Sequence, residues 1–190
     1  MSDENKQKKI YIVISQTGTF LSRILRIITK SDYNHASISL CDDLSIMYSF
    51  GRRNPYNPFW AGFVTESVDF GTFKRFPRTK TIVLSIDIPT TVYNAMLEKL
   101  EYMQISKDDY SYNYLGLCLA AFKIHRHKKN CYYCSEFVKD FLLNFDVKGA
   151  EQLGEIVHPM DFIDIYGSNE IYSGILKDFS TEVILAQTRG

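Results

Sequence analysis

Apolar positions along this chain switch between two periods, and the switches divide it into elements. Ile10–Ser15 (IYIVIS) is short, β-branched and aromatic, the pattern of a buried strand. Thr19–Lys30 places Phe20, Leu21, Ile24, Leu25, Ile27 and Ile28 on one helical face and Arg23, Arg26 and Lys30 on the other. With so few charges, a core helix with a solvated face fits better than a membrane-lying one. His35–Leu40 alternates, Cys41–Leu44 is a tight connection, and Ser45–Phe50 returns, which reads as a β-hairpin. Residues 51–62 (GRRNPYNPFWAG) carry two Pro, two Gly and several aromatics, and read as an ordered surface loop of the kind that walls a site. Phe63–Phe70 reads as a further strand, and Lys80–Ile88 as another.

Pro89 opens a helix to about Ser106, with Val92, Tyr93, Met96, Leu97, Leu100 and Met103 as its apolar face. Lys107–Asp109 breaks it. Tyr112–Ile124 is a small, apolar and buried helix by its composition, and His125–Asn130 a basic loop. The spacing of Phe137, Val138, Phe141, Leu142 and Phe145 predicts a helix from Cys134 to about Asn144. His158–Phe162 is a turn or helix start, and strands are expected near Ile171–Leu176 and Val183–Ala186.

Composition narrows the class. The 190 residues suit a single domain over 10–190 behind a flexible, polar stretch at 1–9. Apolar residues make up 45%, enough for a core that needs neither disulfide nor metal. Lys and Arg total 22 against 22 Asp and Glu, a balance that disfavours nucleic acid as a partner. No stretch approaches the roughly 20 apolar residues of a membrane span, and the run after residue 9 is too short for a signal peptide. A cytoplasmic protein without stable membrane insertion is expected, with its cysteines reduced.

Cys134 then becomes the residue of interest. It lies in the first turn of its helix, on the inward face, where the helix dipole favours thiolate. His35, after a turn and among the small polar neighbours Ala36, Ser37 and Ser39, is the one base that precedes it on a strand. Together they form a Cys–His nucleophile pattern. Separately, a lone strand histidine is more often structural, and a lone helix-start cysteine more often inert. His125–x–His127…Cys131–x–x–Cys134 offers a zinc alternative, but its pairs are closer together than finger-like ligands. A redox CxxC lacks its βαβ frame. No cofactor or metal is therefore expected. For a third residue orienting His35, the next strand offers Ser49 or Tyr48, and Glu66 lies on the segment beyond. The oxyanion would be met by the Cys134 backbone N–H together with Ser15, Gln16 or Tyr33.

The stretch Tyr132–Tyr133–Cys134–Ser135–Glu136–Phe137–Val138 resembles the cysteine signature of the YiiX/YebB-like, circularly permuted papain-fold hydrolases of the NlpC-type superfamily. Tyr33–Asn34–His35–Ala36–Ser37–Ile38 resembles their histidine strand. Asp109–Tyr112 and His158–Phe162 resemble the segments that flank the cysteine helix. The likeness runs in order from Ile10 to about Ile165. It implies an α+β fold, a small antiparallel sheet packed with helices, in which the histidine strand precedes the cysteine helix. It also implies hydrolysis or acyl transfer at an amide or ester, with Cys134 as nucleophile and His35 as base. Ser49 is the first candidate for the third position because the strand Ile46–Phe50 carries no carboxylate. The implied substrate is a small molecule, a peptide or an acyl lipid. The competing expectation is a catalytically weak or inactive papain-like binding module that recognises a partner through the loop at residues 51–62.

Overall fold

The structure is a computed structural model that describes residues 6–16, 33–54, 56–120 and 122–179. Its centre is β1 (Gln7–Gln16), flanked by β2 (His35–Ser39) and by β5 (Lys80–Pro89). With β3 (Met47–Asn54), β4 (Asn57–Glu66) and β8 (Glu170–Ile175) they form a six-stranded antiparallel sheet in the order β4-β3-β2-β1-β5-β8. β-branched residues fill much of the buried stretches of β1 and β5, and all five residues of β2 are buried. Among the described residues five helices follow in chain order: α1 (Gly71–Arg75), α2 (Thr90–Ile105), α3 (Tyr114–Ala120), α4 (Cys134–Asn144) and α5 (Asp161–Tyr166). The fold is thus α+β with an antiparallel sheet.

Strand alternation sorts the side chains into two layers. One face presents Ile10, Ile12, Ile14, Ala36, Ile38, Phe50, Phe63, Leu84 and Ile86 to α2 and α4, which answer with Met96, Leu100, Met103, Phe137, Val138, Phe141 and Leu142. The other presents Tyr11, Val13, Met47, Val83 and Tyr172 to Leu44, Phe73, Leu176 and Phe179. Each fully buried aliphatic or aromatic side chain here contributes roughly 1.5–3 kcal/mol over its exposed state. Phe50 is the junction. Its ring meets Phe63, Tyr110, Tyr132 and Phe137 at centroid distances of 5.1–6.2 Å, tying β3 and β4 to the start of α4.

Most of the expected elements are present, α4 with the expected bounds. Residues 51–62 differ. They are not a loop but the distal half of the β3–β4 hairpin, which turns at residues 54–57. Prolines 55 and 58 do not prevent this. The first lies outside the described residues, and the second is near the start of β4, an outer strand among the described residues, where a missing N–H need not break a ladder. Gly62 is required there, since a Cβ would come within 2.6 Å of the Tyr110 carbonyl oxygen. The strand expected over Phe63–Phe70 is therefore the end of β4, and its last residues turn into α1. The helix expected over Tyr112–Ile124 is shorter than its apolar pattern, and only Gly116 and Ala120 of α3 are buried. Expectations for the helix near 19–30 and the strand near 183–186 lie outside the described residues. Among the described residues no helix is long and apolar enough to cross a membrane.

Candidate active site

The segment ahead of α4 is fixed before the helix begins. β6 (Ser111–Tyr112) and β7 (Cys131–Tyr132) form a short parallel ladder. The buried Glu136 then reaches back from the first turn. Its carboxylate accepts the Tyr133 N–H at 3.2 Å and the Asn113 side-chain amide at 3.2 Å, and His127 Nδ1 lies 3.3 Å away. This is one half of a capping box, in which a glutamate three residues past the cap holds the cap's own N–H. Ser135 donates to the Val157 carbonyl at 2.7 Å. Cys134 is consequently held between two anchored neighbours, and the residue is 4% exposed.

β2 brings His35 to the same place. The alternation His35, Ser37, Ser39 puts these residues on the Val13 and Met47 face, away from the side on which α4 packs. At the first residue of the strand that separation ends. Cys134 Sγ lies 4.0 Å from the carbonyl oxygen of Asn34, the residue before His35, and the thiol helps to raise the His35 imidazole pKa. Thiol and imidazole therefore meet at the end of the sheet rather than across its packed face.

The third partner is Glu66. His35 Nε2 donates to its two oxygens at 3.0 and 2.9 Å, and Ser37 Oγ donates to Oε2 at 2.7 Å. Glu66 pairs with Met47 in the β3–β4 ladder, so its side chain crosses the small residues Ser49 and Gly51 to reach the ring. A Cβ on Gly51 would sit 3.6 Å from both Glu66 Oε1 and His35 Cε1. With Nε2 committed to the carboxylate, Nδ1 is the nitrogen left for sulfur. Burial by itself pulls the imidazole pKa down. The Glu66 charge, the hydrogen bonds to Cys134 and Glu66, and the Cys134 charge together override it and lift the value from 6.5 to about 10. These partners favour the imidazolium form of the ring.

The expected third residue, Ser49, does not fill that role. Its hydroxyl donates to the Ala36 carbonyl at 2.6 Å, a fully buried bond that ties β3 to β2. Tyr48 is opposite Ile38 on the other face, stacked on Phe63. Ser37 is a site residue that the motif comparison passed over, although strand parity already puts it beside His35. Of the expected oxyanion donors, Ser15 lies opposite His35 in the ladder and is fully buried, with no partner for its hydroxyl among the described residues. Gln16 ends β1, and Tyr33 packs against the main core.

Burial, and then the Cys134 charge, push the Tyr112 hydroxyl well above its ordinary value, placing this phenol in the surroundings of the thiol. A cavity of about 630 Å³ is lined by Glu66, Arg52, Trp60 and Phe70, and touches the site through Glu66, with neither Cys134 nor His35 in its lining. Its size suits a small-molecule or chain-end ligand. Among the described residues no three His, Cys, Asp or Glu side chains are grouped to hold a metal. His127 faces Glu136 and, at 4.0 Å, Asp140. All four cysteines are free thiols. No protein-family profile, characterised protein or solved structure matches the chain.

Proposed function

We propose that the protein is a cysteine hydrolase or acyltransferase of the circularly permuted papain-like kind, acting on an amide or ester. The observation that carries this reading is the row Glu66–His35–Cys134: a carboxylate on one ring nitrogen and a helix-start thiol on the same ring. The order of the chain supports it too, since the histidine strand precedes the cysteine helix.

In this scheme Cys134, as thiolate paired with the His35 imidazolium, attacks the carbonyl carbon. The carbonyl electrons move to oxygen, where the Cys134 N–H, with no partner inside its own helix, is a donor. When the tetrahedral species collapses, the bond to the leaving amine or alcohol breaks and His35 protonates that group. A thioester on Cys134 results. A water or other nucleophile then loses its proton to the neutral His35 and attacks the thioester, releasing the acyl product and restoring the ion pair. Glu66 holds the ring in one orientation and stabilises its charge throughout.

Differential alkylation tests the reading. Exposure alone ranks Cys118 first and Cys134 last among the four thiols. Limiting iodoacetamide at neutral pH, read by peptide mass spectrometry, is expected to label Cys134 ahead of Cys118, and His35→Gln to restore the exposure order. Labelling that follows exposure in the parent protein overturns the proposal and leaves a binding module as the better account.

A further inference from the structure

The charge of the chain is balanced overall but not around α3. Between Asp109 and Glu136 there is no acidic residue, while Lys123, Arg126, Lys128 and Lys129 all fall there. Residues 122–129 are exposed throughout. The same stretch exposes large apolar side chains, Leu115 on α3 and then Phe122 and Ile124, with Phe122 77% exposed. The small apolar helix expected from sequence is thus turned outward, under a fringe of cations.

A second patch of the same character adjoins it. The tip of the β3–β4 hairpin exposes Tyr56, Phe59 and Trp60, with Phe59 85% exposed. The Arg75 guanidinium of α1 lies 4.6 Å from the Tyr56 ring centre. Arg52 on β3 lines one cavity with Trp60 of the hairpin and Gly71 of α1, and Arg53 donates to the Tyr110 carbonyl at 3.1 Å. Arginines therefore tie α1, the hairpin and the segment that leads into α3 into one surface. Tyr114 packs on Tyr112 at 4.7 Å, and Tyr112 feels the charge of Cys134.

We propose that this surface seats the protein peripherally on an anionic phospholipid bilayer. Phe59, Trp60, Phe122 and Ile124 enter the headgroup–acyl boundary, and the lysines of 123–129 face the lipid phosphates. Aliphatic and aromatic side chains projecting through a cationic fringe match an interface that is apolar below and anionic above. A nucleic-acid strand would use the charges and the rings but leave Leu115 and Ile124 in water. Such seating would supply lipid-borne acyl groups to the thiol, yet it needs no chemistry at Cys134.

Trp60, the one tryptophan of the chain, is the reporter. Full-length protein is titrated with phosphatidylcholine vesicles, with vesicles containing phosphatidylserine, and with a single-stranded oligonucleotide, reading Trp60 emission and co-sedimentation. A blue shift and sedimentation only with the anionic vesicles are expected, equally in Cys134→Ala. Lys128→Glu with Lys129→Glu should weaken binding at least about 10-fold, and Phe122→Ser with Ile124→Ser should reduce the bound fraction at unchanged salt. All four side chains are exposed, and circular dichroism checks the fold of each variant. No binding to anionic vesicles, equal binding to neutral ones, or binding to the oligonucleotide alone overturns the proposal.

Discussion

Two histidines among the described residues lie against glutamates, and the two pairs differ in depth and in what else each acid holds. His35 is buried, gives one nitrogen to both oxygens of Glu66 and keeps the thiol on the same ring. The His127 side chain is 43% exposed, its Glu136 contact is longer at 3.3 Å, and that carboxylate already holds the Tyr133 N–H and the Asn113 amide. In the first pair the protein encloses a charge beside a thiol, which under the proposed function is the nucleophile. In the second, water shares the histidine, and the carboxylate is a fastening for backbone. Identical side chains thus differ in consequence through depth and through what else each acid must hold.

The comparison breaks most sharply under substitution of the histidines. His35→Gln is expected to lower kcat/KM on an activated thioester or ester by about 10²–10⁴, and His127→Gln by no more than a few-fold. Comparable losses would erase the distinction. Next in size, Phe50→Ala should cost about 3–5 kcal/mol in urea unfolding, because it empties the junction between the hairpin and α4. Glu136→Ala should cost about 1–3 kcal/mol by leaving buried donors unpaired, with alkylation of Cys134 also altered as the first turn loosens.

Acidity separates the pairs more finely. The folded pKa of His35 is raised, so its contribution to stability is complete below about pH 6.5 and declines as pH rises, ending above about 10. Urea midpoints across that window should therefore fall in the parent and flatten in Glu66→Gln. The alkaline limb of the rate profile should move toward neutrality in the same variant. The smallest expected effect is at Gly51. Alanine there meets neighbours at ordinary contact distance and should change activity less than about 3-fold, whereas leucine should push Glu66 off the ring.

Much of this was legible in the residues. The α4 helix, its opening cysteine and the His35 strand followed from spacing, because each buries one face and the period records which. The partner of His35 did not. Choosing Glu66 over Ser49 and Tyr48 required the β3–β4 register, and that register was hidden by the Pro and Gly of residues 51–62, which read as loop punctuation. Those residues serve an outer strand and its turn, where tertiary contact overrides local preference. α3 misled in the other direction. An apolar run signals burial only when a neighbour covers it, and no periodicity reveals that Leu115 and Phe122 face outward.

The contact between Cys134 and Asn34 joins positions 100 residues apart. Loop-closure entropy makes such contacts slow to form relative to hairpins and helices. The β3–β4 hairpin and helices α2 and α4 can form early from local contacts, while the reactive pair is completed only when the strand and helix dock. During refolding, Cys134 should remain open to thiol reagents after most secondary structure has returned, and its protection should mark the last cooperative step.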